Sequence, residues 1–476
     1  MAPSSYEEEN APLDEYYERS SHNHRRWYYA GGAAVVVVIG VVVGAVVASY
    51  GGGGGSSVAS PSSAATGNNG GAPTPAPTTG IQNIIQQKAL FGGTEFDDPT
   101  SYQSTALWWL QGSPNTFSDE RLIQRYALAC IYEATNGVAT PWTDFTFGPT
   151  GTVLRWLDER GWLEDDDECT WEGVLCNDQK VVVELDLSSN LLTGSMPPET
   201  SMLSSLRRLD IYNNLVYNVG DAGNNWLGEM VSLEQLYMGQ TSFQYDGIPP
   251  AIGNLVNLVE FDCSYTLYFG PLRGEVFENL NKLEYLYIGG NTFNSSIPSE
   301  ITNLPNLVFF YAEYSDIIGN LDFMIGMPKI FELWMDKNPG LTGQIPTQIG
   351  ELLTLESFSV TGCGLSGPIP TEIGNLVNMQ QMWFYDNNLQ LAIPSQIGNL
   401  QALTRLELEK NALTGIMPEE ICNNVYPRGL MRKLEADCDG EIFCPDDCCT
   451  CCGEACVTEG DRGSANRRRL NFLQSM

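Results

Sequence analysis

From residue 182 onward, apolar residues recur in the pattern L-x-x-L-x-L-x-x-N-x-L, and ten copies align. Their first inward positions are Val182, Leu206, Leu233, Leu258, Leu283, Leu307, Ile330, Leu355, Met379 and Leu403, spaced 23 to 27 residues apart. Within each copy apolar and polar residues alternate, as Leu185 and Leu187 do in VVVELDLSSN. That is the period of a strand with one buried face. A single unit cannot hide its leucines, whereas stacked units share one continuous core. The pattern predicts an α/β solenoid over residues 181–421, with one short parallel strand per repeat.

The Asn position is held by Asn190, Asn214, Asn291, Asn338, Asn387 and Asn411. A side-chain amide there can satisfy backbone groups of the turn it shares with a neighbouring coil. Thr241, Thr266, Ser315 and Cys363 replace it elsewhere, small and polar enough to serve more weakly.

A second kind of apolar pattern is a single run at residues 30–49, AGGAAVVVVIGVVVGAVVAS, without a charge. As a helix it is about 30 Å long, enough to cross a hydrocarbon core. Trp27, Tyr28, Tyr29 and Tyr50 bracket it, and Arg25 and Arg26 flank its N-terminal end. Positive residues stay inside. The run therefore predicts a single-pass plasma-membrane protein with residues 1–29 cytoplasmic and the repeats extracellular. A cleaved signal peptide competes with this uncleaved signal-anchor; the long acidic leader (Glu7, Glu8, Glu9, Asp14, Glu15, Glu18) favours the anchor. Gly40 and Gly44 form a GxxxG, either a helix-pairing face or a by-product of small-residue composition. Residues 50–99, rich in Gly, Ser and Pro at their start, are assigned to a flexible stalk.

Residues 100–180 read as a helical N-terminal cap. Ser118 is placed to N-cap a helix DERLIQRYALACIYEATN with Asp119 and Glu120 in its first turn. Further helices are expected through Leu107–Leu110 and Val153–Arg160. Trp108, Trp109, Trp142, Trp156 and Trp162 are expected in the cap's core. After the repeats, residues 422–456 hold eight cysteines. They suit a disulfide knot; two CxxC pairs, Cys448–Cys451 and Cys449–Cys452, suit zinc. Cys263, at an inward strand position, and Cys363, at an Asn position, read as buried thiols. Residues 457–476, with Arg467, Arg468 and Arg469, form a disordered tail or carry a processing site.

The second half of each repeat reads G-x-I-P-x-x-I-G-x-L, as GQIPTQIGEL from Gly343, GPIPTEIGNL from Gly367 and LAIPSQIGNL from Leu391. This resembles the plant-type leucine-rich repeat of receptor-like kinases, receptor-like proteins and polygalacturonase-inhibiting proteins. The resemblance implies a right-handed superhelix with parallel strands on the concave face. The second, fourth and sixth repeats depart from it, with WLGEMVS, GPLRGEVFENL and GNLDFMIGM. Cys169-Thr-Trp171-Glu-Gly173-Val-Leu-Cys176 resembles the element closing the N-terminal side of such solenoids, which implies a Cys169–Cys176 disulfide. The order of tail, anchor, stalk, Trp-rich cap, repeats and Leu434-Glu-Ala-Asp-Cys438…Cys448-Cys449-Thr-Cys451-Cys452 is similar to single-anchor leucine-rich-repeat proteins of diatoms.

Charge and histidine narrow the function. The chain has 58 acidic against 24 basic residues, a net charge of -34. Such a surface repels phosphate backbones, so nucleic acid is not an expected partner. The two histidines, His22 and His24, precede the apolar run, which leaves no Ser-His-Asp or Cys-His pair in the repeats. Carboxylates such as Glu313 and Asp336 remain, but an open surface offers no enclosed pocket to shift them. No catalysis and no cofactor are expected.

The outward strand positions run Asp186, Asp210, Tyr237, Asp262, Tyr287, Tyr311, Trp334, Ser359, Trp383 and Glu407, and the next outward positions add Tyr212, Glu313, Asp336, Tyr385 and Glu409. Read as exposed, these aromatics and acids suit sugar rings or a basic peptide. Read as strand residues, they simply pack on ladder neighbours. The expected ligand contacts are Tyr237, Tyr287, Tyr311, Glu313, Trp334, Asp336, Trp383 and Tyr385. Asn294-Ser-Ser predicts a glycan. The expected function is a non-catalytic receptor-like module for an extracellular peptide, protein or glycan, signalling through a membrane co-receptor or kinase. Adhesion or matrix organisation, and inhibition of a secreted hydrolase, are the alternatives.

Overall fold

A computed structural model describes residues 80–112, 117–136, 155–164, 167–218, 221–437, 442–445 and 448–452, all within one compact unit, Ser56–Gly460. The apolar run at 30–49 lies outside these residues. Among the described residues no helix is long and apolar enough to cross a membrane.

Alternation along each repeat produces a 13-stranded sheet. It begins with β1 (Val174–Cys176), antiparallel to β2 (Val182–Asp186). Every later strand joins in parallel, and the first strands set the register Leu185↔Leu209↔Leu236. That register carries the inward residue of each coil onto the next, so the ten first inward positions are all 0–2% exposed. One apolar core runs without a break from Leu128 in the cap to Cys448. The solenoid is thus the cheapest burial available to a chain of weakly amphipathic strands.

The ladder extends past the ten repeats. Lys433–Ala436 pairs in parallel with Arg405–Glu407, and Cys451–Cys452 follows it. Met431, fully buried, takes the first inward position of this extra coil. The Cys-rich cap therefore begins as a further coil and is pinned by disulfides Cys422–Cys448 and Cys444–Cys449. Pairing of these four thiols is consistent with the disulfide-rich cap. Cys130, Cys263 and Cys363 are free and buried.

Asparagines stitch the coils together. Asn338 Nδ2 donates to the carbonyls of Ala312 and Met335, both at 2.8 Å, while its Oδ1 accepts from the backbone N–H of Ser315 at 3.1 Å and of Ile317 at 2.8 Å. Asn214 does the same with Leu187, Ile211, Asn190 and Leu192. Where Thr241 stands instead, its hydroxyl reaches one carbonyl, that of Met238. On the far side of the coils the regular repeats close with five-residue 3-10 turns such as Thr371–Asn375. The second repeat, lacking the IP segment, has a nine-residue one, Asp221–Glu229.

At the N-terminal end stand α1 (Gly80–Lys88), α2 (Tyr102–Gly112) and α3 (Asp119–Thr135). Ser118 caps α3, accepting from the Arg121 N–H. Helix α1 corrects the stalk boundary, since Ile81 and Ile85 are buried and fix residues 80–88 to the cap. Residues 155–160 are not helical. Their backbone bonds to the first repeat instead, Leu157 N–H to the Asn190 carbonyl at 3.0 Å and Asp158 N–H to Asn190 Oδ1 at 2.6 Å. Trp156, Trp162 and Trp171 pack together in the core, with ring centroids 4.7 and 5.3 Å apart. Trp108 is 76% exposed, contrary to expectation, because α2 turns its neighbour Trp109 inward. Trp142 lies outside the described residues. The Cys169–Cys176 disulfide is present, and beside it a buried Glu168 binds Arg121 and Arg125.

Candidate functional site on the concave face

The in-register ladder places side chains two dozen residues apart in columns across the concave sheet. In the column expected to bind ligand, Tyr287 meets Tyr311 edge-on at 5.0 Å and Tyr311 stacks on Trp334 at 4.7 Å. Trp334 reaches over Ser359 to meet Trp383 edge-on at 5.9 Å. Four of the predicted residues thus form one contiguous aromatic ladder.

The column is less exposed than the sequence suggested. Asp210, Asp262, Ser359 and Glu407 are buried, and Tyr287 and Trp383 are only 9% and 6% exposed. Pairing along each strand and across to the next is the cause, Glu407 for instance being held by Lys433 of the following strand at 3.0 Å. Asp210 is held by Arg208 at 2.6 Å, and Asp262 accepts from the Ser264 N–H at 2.9 Å and hydroxyl at 2.6 Å. Tyr237 stands apart from the ladder, its hydroxyl donating to Glu260 at 2.6 Å beneath the Arg208 guanidinium. Burial and the Glu260 charge push its phenol well above the usual range. Trp334 and Tyr311 remain half-buried, with the Trp334 indole N–H donating to Ser357 and the Tyr311 hydroxyl to Glu332.

The second outward position lies alongside. Asp336 accepts from the Ser359 hydroxyl at 2.5 Å and the Thr361 N–H at 2.7 Å. Tyr385 lies near the Lys337 ammonium, which pairs with Asp386 at 2.7 Å. Glu313 and Tyr385 are half-buried. Together with Tyr311 and Trp334 they make a partly open aromatic and acidic strip near the middle of the sheet.

A third column escaped the sequence reading. The strand position before the inward leucine supplies Glu260, Tyr285, Phe309, Glu332 and Ser357. Tyr285 stacks on Phe309 at 4.8 Å, and Glu260, Glu332 and Ser357 orient the rings named above. The same alignment that gave two columns held this one. At the C-terminal end Glu407, Glu409 and Glu435 converge, and burial beside Glu407 pushes Glu409 up to about 8.

The leucine-rich-repeat family model matches residues 282–304 and 354–376. Receptor-like protein 6 of Arabidopsis thaliana is 24% identical over 208 residues, 41% of this chain and 20% of that protein. Receptor-like protein 41 of the same plant is 36% identical over 114 residues, 24% of this chain and 13% of that one. The chain therefore spans a fifth or less of these two relatives. The Arabidopsis receptor kinase HAESA, solved with the peptide hormone IDA and the co-receptor SERK1, is similar with a TM-score of 0.52 at 23% identity. That likeness covers 67% of this chain and 53% of HAESA, and it shows the fold.

Proposed function

We propose that this plant-type leucine-rich-repeat protein is a non-catalytic, receptor-like module that binds a basic, extended peptide segment along its concave face. The observation that carries the reading is the strip of half-buried Tyr311, Trp334, Glu313, Asp336 and Tyr385. Stacking between Tyr311 and Trp334 occupies one face of each ring, and edge contacts from Tyr287 and Trp383 crowd the column on either side. Sugar recognition needs open faces, whereas a peptide chain can lie against ring edges and reach the flanking carboxylates. A net charge of -34 draws cationic ligands to the face. Relatives named as receptor-like proteins support the same role.

The proposal includes a membrane anchor at residues 30–49, extracellular repeats, a glycan on the exposed Asn294, and signalling through a membrane co-receptor or kinase. The test is a library of extended peptides titrated against the full chain in detergent micelles. Trp334→Ala and Asp336→Asn should each weaken the selected peptide about tenfold or more, as truncations at the centre of an interface do. Trp108→Ala, on the distant cap, should leave affinity unchanged. Equal affinity in all three variants contradicts the reading.

A further inference from the structure

We infer that Glu407, Glu409 and Glu435 form a calcium site at the C-terminal end of the concave sheet. The residues come from two neighbouring strands, Glu407 pairing directly with Glu435 and Glu409 standing two positions further along. One carboxylate oxygen of each lies within 4.8 Å of the others. Oxygens on opposite sides of a calcium ion, at about 2.4 Å each, are separated by about that span.

These are not surface acids. Glu407 is 1% exposed, Glu435 2% and Glu409 6%. Two cations reach the group: Arg405 pairs with Glu407 at 3.0 Å, and Lys433 with Glu407 at 3.0 Å and Glu435 at 3.1 Å. Neither makes an ion pair with Glu409, whose buried Oε2 has no hydrogen-bond partner. Three carboxylates face two cations, and Glu409 is the one left without a cation of its own. A divalent ion between the three oxygens would supply it. Carboxylates select hard cations, and calcium tolerates the irregular geometry and completes its shell with water. Lys433, whose side chain is 20% exposed, can turn toward solvent as the ion enters.

The site would couple the last repeat to the cap, because the strand of Glu435 also pairs with Cys451–Cys452. Trp383 is the ladder partner of Glu407, close enough to sensitise a bound lanthanide. Terbium added to the full chain in detergent micelles, excited through tryptophan, is expected to emit, and calcium to quench the emission. Glu409→Gln and Glu435→Gln should each weaken terbium binding at least tenfold, while Glu351→Gln, on an outer turn, keeps it. Calcium should also raise the melting temperature of the parent chain, which potassium at equal ionic strength should not. That second measurement stands even if a variant fails to fold. Unchanged terbium affinity in folded Glu409→Gln, or neither emission nor a calcium-dependent melting shift in the parent, overturns the site.

Discussion

Asn338 ties two coils through four hydrogen bonds made by one buried amide. Replacing it by alanine strands two backbone donors and two acceptors away from water, each of which is costly. Asn338→Ala should therefore lose about 3 kcal/mol in urea unfolding, and Asn338→Thr less, since a threonine at the same position of another repeat still reaches one carbonyl. Equal losses would show that the amide acts only by filling space. Glu168 gives a pH signature. Burial alone would raise its carboxyl, but bonds from Arg121, its own backbone and Arg125 outweigh burial and hold it below the usual value. A depressed native pKa contributes stability above the unfolded value near 4.5, lost as pH falls through the lower native one. The melting temperature should drop below about pH 4.5, and Glu168→Gln should flatten that acid limb. An unchanged acid limb would place the acid sensitivity elsewhere.

At the scale of elements, the disulfide Cys422–Cys448 closes a 26-residue separation between the last repeat's outer turn and the cap. Chain-entropy reasoning gives about 3 kcal/mol for a loop of this order. Replacing both cysteines by serine should lower the urea midpoint accordingly; an unmoved midpoint would mean the extra coil is held by its apolar core alone. The strands were legible because alternation and a fixed period report burial directly, and every first inward position is buried as read. What the period did not report was how far the outward columns bury one another. That depends on cross-strand neighbours such as Lys433 beside Glu407, whose pairing is set by register and not by either residue alone. The coil at Lys433–Ala436 was hidden for a related reason: its insertion and cysteines break the period, yet Leu434 still falls into line with Leu406. Residues 155–160 carried a helical pattern but found better partners in Asn190.

For the molecule as a whole, stacking converts a one-dimensional repeat into a surface, and residues 23 positions apart become ring partners. The strong acidity then acts across that surface. Binding of a basic peptide should weaken as salt rises from low to physiological concentration, chiefly through a slower association rate. Salt-insensitive association would assign the acidity to solubility alone. Tyr311 and Trp334 stand on adjacent parallel strands, stacked 4.7 Å apart, and the recognition strip depends on that placement. A double-mutant cycle of Tyr311→Leu and Trp334→Leu, read by urea unfolding, measures it most directly. The account predicts a coupling energy of about 1 kcal/mol between the two rings. Strictly additive losses would contradict it, because rings on any other arrangement of these strands do not touch.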